Sequence, residues 1–326
     1  MSLSYTWRLL CLCCATFFVL HLALAAATRL SAGTAMRMAA RMKPSSAARF
    51  LFLLRISPMA LTIFVVLAFC VPSYLWLEPQ AGGEKVGFVC FVMALLGAAI
   101  WSLSIVRVVA AVRGTVQYLH QCERHGRKIN VPGEPSPALL LADKAPVLAV
   151  AGVVHPRLVI SKRVFHGLTL EQRKAALLHE RAHRTSRDNI KRFLILLSPD
   201  VLPFVRTFRA LEHSWAKFTE WAADDQAVEG DSRRALSLAS ALVAVAKMGS
   251  KPKLSYLFSS LVRDDGELTE RVDRLLRPQP NPGKPAEVLV PFLTSAGALL
   301  SGAIALVMLW PGSLSLVHQA LERLLR

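Results

Sequence analysis

The stretch Leu177-Leu178-His179-Glu180-Arg181-Ala182-His183 lies in an apolar-periodic segment, Leu170 to about Ser186, that the sequence predicts as a helix. Thr169 precedes it as a helix cap, and Gln172, three residues on, completes a capping box. Residues four apart lie one above the other on a helix, so His179 and His183 can turn both imidazoles toward one metal ion. Glu180 is one position round from His179, where its carboxylate can reach a water beside that ion. Ala175, Ala176, Leu177, Leu178 and Ala182 make the surroundings apolar, as burial beside a metal requires and a solvated helix would not. Two ordinary helix histidines are the plainer alternative.

The rest of such a site must come from elsewhere in the chain. A second helix is expected over about 207–229, stopped by Gly230, with Leu211, Trp215, Phe218 and Ala222 as its core stripe. Glu220 and Asp224 lie four apart on another face. Glu220 suits the third ligand of a zinc site built from two His, one carboxylate and water. Asp224, one turn on, can accept the free N–H of a ligand His and fix its tautomer. His213, two turns before Glu220, is a rival third ligand. A third His six residues after His183 is excluded, because that position is Asn189. The expectation is one Zn²⁺ per chain on His179, His183 and Glu220, with Glu180 as the catalytic base and Asp224 behind the ligands.

Hydrophobic residues make up 53% of the 326 positions, above the roughly 45–50% of soluble domains. The excess sits in four runs, about 9–28, 56–77, 86–106 and 288–310, each long enough for a hydrocarbon core of roughly 30 Å. The first run also resembles a signal peptide. However, Arg29, Arg37, Arg41, Lys43 and Arg49 follow it with no acid among them, which places that segment in the cytoplasm. The N-terminus is then outside, the segment from about 114 to 284 inside, and the protein a multi-pass component of the inner membrane. The net charge of +17 fits this positive-inside bias and the attraction of anionic lipid headgroups. No nucleic-acid-binding signature accompanies it, so direct nucleic-acid binding is not expected. Six cysteines, five of them in or beside the runs, form no disulfide framework and no C-x-x-C metal pair.

These readings give a mainly α chain. Residues 1–113 form three transmembrane helices, and 114–277 an inserted cytoplasmic α+β domain with a small sheet and a helix bundle. Residues 278–287 form a Pro-rich linker, 288–310 a fourth span and 311–326 a short tail, with no exported domain expected beyond it. Within the inserted domain, 114–137 reads as a basic linker. Pro146–Val154 and Arg157–Ser161 read as two strands around His155-Pro156; a strand beside the metal helix could offer a free edge to an extended peptide, with a plain core strand as the alternative. Phe193–Val205, interrupted by prolines and flanked by Arg192 and Arg206, reads as an interfacial segment, with a buried core segment as the alternative. Residues 232–248 and 266–277 read as helices.

Arg157-Leu-Val-Ile-Ser, Leu168-Thr-Leu-Glu-Gln-Arg, His179-Glu-Arg-Ala-His183, Asp188, Glu220-x-x-x-Asp224 and Glu270-Arg271-Val-Asp-Arg-Leu-Leu together resemble the BlaR/MecR-type membrane zinc metallopeptidases, a gluzincin group. The resemblance covers about 50–315 and is specific only around the metal motif. It implies a regulatory endopeptidase that cuts a cytoplasmic protein, such as a transcriptional repressor, in signal transduction. The penicillin-binding sensor domain of the antibiotic-sensing members does not follow the last span, so β-lactam sensing is not implied. The resemblance also makes Arg271 a candidate transition-state stabiliser, whereas its helix alone reads as placing it in solvent. A membrane quality-control protease of the HtpX or prenyl-protein type shares the same ligands and is the alternative; a non-catalytic signalling protein is a third reading. The substrate, inducing signal, self-cleavage and oligomeric state are not legible in the sequence.

Overall fold

The computed structural model describes residues 5–77, 86–131, 136–142, 147–200, 208–249, 258–260 and 265–277, and the single residues Gly312 and Gln319. The expected fourth span at 288–310 and the linker at 278–287 lie outside the described residues.

Three long helices begin the chain. α1 runs Tyr5–Ala39; α2 runs Pro44–Val65 and continues through one π-helical turn, Val66–Cys70, into α3, Val71–Leu77; α4 runs Phe88–His125. Pro44 starts α2, where a missing N–H costs nothing. The wide π turn relieves the clash that the Pro72 ring would make with the preceding helical turn. All three are long and apolar enough to cross a membrane, with lengths of 35, 34 and 38 residues. At ~1.5 Å per residue they exceed the ~30 Å hydrocarbon core by half or more, so the spans continue as helix beyond the membrane. Leu95, Leu103, Val106 and Val109 stay exposed on α4, a face that lipid would cover. α1 and α4 pack through small residues such as Ala15, Cys90 and Ala94 together with Leu12, Phe17, Ile100 and Trp101. A Cβ added at Gly97 would overlap the Cys14 carbonyl oxygen, so this glycine permits backbone contact between the two helices.

The extension of α4 corrects the reading of 114–137 as a linker. Thr115, Tyr118, Leu119 and Cys122 fall at helical spacing. Cys122, with Tyr118 and Leu119 beside it, packs on Leu139, Leu141, Val147, Ala149, Ala151 and Val159. That is one face of a five-stranded mixed sheet comprising β1 (Arg127–Ile129), β2 (Ala138–Leu141), β3 (Leu148–Ala151), β4 (Arg157–Ser161) and β5 (Phe258–Ser260). The order is β1-β2-β4-β3-β5, with only β2 and β4 parallel. The period of two sends Leu140, Leu148, Val150, Leu158 and Ile160 to the other face, into the main core with Ala175, Ala176, Leu238 and Leu242. The expected strand pair is present as the β3–β4 hairpin. However, β5 pairs along β3, so β3 is an interior strand and not a free edge.

The helices of this domain are α5 (Lys162–Gly167), α6 (Leu170–Thr185), α7 (Asp188–Leu197), α8 (Arg209–Val228), α9 (Ser232–Lys247) and α10 (Asp265–Leu276). Thr169 caps α6 through the full capping box with Gln172. α8 ends at Glu229 and Gly230, both with positive φ. Asp231 caps α9 by accepting from the Arg233 and Arg234 amides. α7 occupies part of the segment read as interfacial. It packs against α4, α2 and α6, with Ile195 in a cluster with Leu51, Phe208, Leu211 and Trp215. Its Arg192 is buried, which a membrane-surface segment would not do.

Gly97→Leu should wedge α1 from α4. Thermal unfolding in detergent is expected to show a loss of about 1–3 kcal/mol, against little change for Gly33→Ala, where a Cβ meets nothing within 4 Å.

Candidate metal centre

α6 packs on β3 and β5, and α8 packs on α6; together they turn His179, Glu180, His183 and Glu220 inward, each no more than 2% exposed. The Nε2 atoms of His179 and His183 lie 3.1 Å apart. Glu220 Oε2 is 3.5 Å from each of them. Among the described residues these three side chains are the group of His, Cys, Asp and Glu that could hold a metal ion. Metal–ligand bonds of about 2.0–2.1 Å at a tetrahedral angle require ligand atoms about 3.3 Å apart. The triangle has that size.

The polar atoms around it give an independent test of fit. His179 Nδ1 lies 2.9 Å from Asp224 Oδ1, and His183 Nδ1 2.8 Å from Asp188 Oδ2. The Asp188 carboxylate bonded to His183 holds the proton on Nδ1 and leaves the Nε2 lone pair free, and the Asp224 charge beside His179 Nδ1 favours the same tautomer there. Both oxygens of Glu220 are buried without a hydrogen bond. Three electron-rich atoms thus converge on one point, and a cation satisfies all of them. The residues fit a metal ion.

Cations already surround the group. Arg271 of α10 donates from Nε and Nη2 to Asp224 at 2.9 and 2.7 Å, and its Nη1 lies 3.3 Å from Glu220 Oε2. It is 3% exposed, which corrects its reading as a solvent-facing residue. Its fork is committed to Asp224. Arg192 of α7 reaches 3.8 Å from Glu220 Oε1 and lies over the Trp215 ring. Burial opposes the Asp224 charge, but Arg271 and His179 outweigh it and hold the carboxyl down at about 2. Burial also opposes a charged His183, yet Glu220 and Asp188 raise it to about 10. Without a metal the site therefore takes a proton, which a metal must displace. Burial lifts Glu180 to about 7, against the pull of His179 and His183, and neither of its oxygens has a hydrogen-bond partner.

The structure brings His179, His183, Glu220, Glu180, Asp224 and Arg271 together. His213 is exposed on α8 and stands outside the cluster. Asn189 donates from its side chain to the Val150 and Gly152 carbonyls, fixing α7 to the end of β3. Asp188 and Arg192 were not assigned to the site from the sequence. Asp188, which opens α7 directly after the left-handed Arg187, stands among the residues that carry the family resemblance, with no role attached to it. Nothing local in the sequence marks Arg192.

Comparison with known proteins agrees with this geometry. A protein-family model described as BlaR1 peptidase M56 matches residues 83–275, from the start of α4 to the end of α10. The fold and its metal-binding group are those of a membrane-associated metallopeptidase. The chain belongs to the BlaR1 peptidase M56 family. No curated protein and no solved structure matches it.

Asp224→Ala leaves Arg271 buried without its partner and should cost about 3–5 kcal/mol in thermal unfolding. Metal affinity should fall about 10- to 100-fold, measured by chelator competition. The Asp224 carboxyl is depressed in the fold, to about 2. Its stabilisation is therefore full above the unfolded value of about 3.9 and fades as pH drops toward 2, by roughly 2 kcal/mol. Acid titration of Asp224→Asn should lack that part of the wild-type loss.

Proposed function

We propose that the chain is a zinc-dependent endopeptidase of the inner membrane, with its N-terminus outside and its catalytic domain in the cytoplasm. Its role in this reading is regulatory proteolysis of a cytoplasmic protein, a transcriptional repressor being the kind of substrate the family resemblance suggests. The observation that supports it most is the 3.1–3.5 Å triangle of His179, His183 and Glu220, with the unpartnered Glu180 carboxylate on the same helix. Nitrogen and carboxylate donors without thiolate suit zinc in a hydrolytic site. The positive segments after the first run and at the end of the third support the orientation.

His179 and His183 would hold the ion through Nε2, and Glu220 through its carboxylate. Zinc bound there would acidify water and polarise a scissile carbonyl. Glu180 takes the proton of the attacking water, whose oxygen joins the carbonyl carbon, and returns it to the amine as the C–N bond breaks. A carboxylate held near 7 by burial is matched to receiving and releasing a proton close to neutral pH; bound zinc lowers that value and favours the base form. Asp224 and Asp188 keep the two imidazoles in the tautomer with Nε2 free. Arg271, with its fork on Asp224 and Nη1 beside Glu220, anchors those carboxylates. Any direct help to a developing oxyanion would come from the same guanidinium.

Glu180→Gln should retain zinc and lower peptide cleavage by about 10²–10⁴-fold, whereas Glu220→Ala should lose the metal. Zinc analysis and turnover of a peptide library by the purified proteins check both. Substrate captured by Glu180→Gln should be one protein or a few; a broad set of damaged membrane proteins would contradict the regulatory reading.

A further inference from the structure

α7 has one end in the metal centre and the other among the spans. At its first turn Asp188 holds His183 at 2.8 Å and Asn189 is tied to β3. One turn on, Arg192 faces Glu220. Just beyond its last turn lie Ser198, Pro199 and Asp200, and each of the three spans grips this tripeptide. From α2, Arg55 donates from Nη1 to Ser198 Oγ at 2.8 Å, and from Nη2 to the Ser198 carbonyl and Asp200 Oδ1 at 3.3 and 3.4 Å. Its Nε donates to Glu212 of α8 at 2.9 Å. From α4, Arg107 donates to Asp200 Oδ2 at 2.9 Å. From α1, His21 Nε2 lies 3.2 Å from the Pro199 carbonyl oxygen. Arg55 and His21 are each 1% exposed and Asp200 7%.

Buried charge pairs of this kind add little stability over apolar packing, but they fix geometry. A helix of this length is a stiff strut of roughly 15 Å. Where its far end is held decides where Asp188 meets His183. We propose that Arg55 and Asp200 are positioning residues for the metal centre. They pin the far end of α7 to the spans and so keep Asp188 on His183, acting through the helix and touching neither metal nor substrate. Because α1, α2 and α4 hold the same tripeptide, a relative shift of the spans moves the strut. The proposal rests on the assignment of His179, His183 and Glu220 as metal ligands.

The test is a double-mutant cycle on the full-length protein in detergent, read by Co²⁺ affinity in chelator competition and by the visible spectrum of bound Co²⁺. Arg55→Ala should weaken Co²⁺ binding about tenfold and alter the spectrum, and Arg55→Lys should recover most of both. Asp188→Asn alone should weaken binding about 10- to 100-fold. Adding Arg55→Ala to it should cost less than about twofold more, since the linkage is already cut. Equal losses in the two backgrounds, or wild-type affinity in a folded Arg55→Ala protein, overturn the proposal. Should Arg55→Ala not fold, Asp200→Asn is expected to weaken Co²⁺ several-fold, and unchanged affinity there overturns it equally. A wild type that takes up no Co²⁺ overturns the ligand assignment itself, which separates that failure from this one.

Discussion

Two imidazole nitrogens and a carboxylate oxygen face one another in a buried space, and that arrangement is tolerable only around a positive charge. Each imidazole has its other nitrogen against a carboxylate. The protein thus places four acidic side chains, Glu180, Asp188, Glu220 and Asp224, in an interior where each is at most 2% exposed. Arg271 and Arg192 offset part of that charge. Glu220 and Asp188 raise His183 well above the ordinary imidazole value, the direction expected where buried negative charge exceeds positive.

The fold serves this constraint from both sides. The sheet lays one face on the end of α4 and the other on the core around α6, so the metal-binding helix is clamped against a rigid layer. α8 brings Glu220 and Asp224 while its Leu211, Trp215 and Phe218 pack toward the spans. α10 closes the site with Arg271. The helices that cross the membrane are therefore part of the peptidase core and not a detachable anchor: α2 runs along α8, and α7 lies against α2 and α4. The long apolar helices and the metal centre share one packed structure.

Much of this was legible wherever local chemistry decides structure. Thr169 and Gln172 announced the start of α6, the i,i+4 histidines their common face, and Glu220 with Asp224 a second acidic face at helical spacing. His155-Pro156 marked the β3–β4 turn. What was not legible depends on distant partners. The end of α4 is polar enough to read as a linker, and only the sheet beneath Cys122 makes it a helix with a buried stripe. The run Ala138–Leu141 is too short to declare itself, and β5 exists through its pairing with β3. Arg192 and Arg271 look like solvent or interface residues, because a buried arginine is paid for by carboxylates remote in sequence. The charge at the ends of the apolar run after α6 suggested a membrane surface, when one of those arginines faces Glu220.

X-ray absorption at the zinc edge reads the donor atoms themselves, and six cysteines elsewhere in the chain offer a different kind of site. A zinc held by His179, His183 and Glu220 should show nitrogen and oxygen at about 2.0–2.1 Å, with the scattering pattern of two imidazoles. Sulfur scattering at about 2.3 Å, or zinc retained in full by the Glu220→Ala protein, would contradict it.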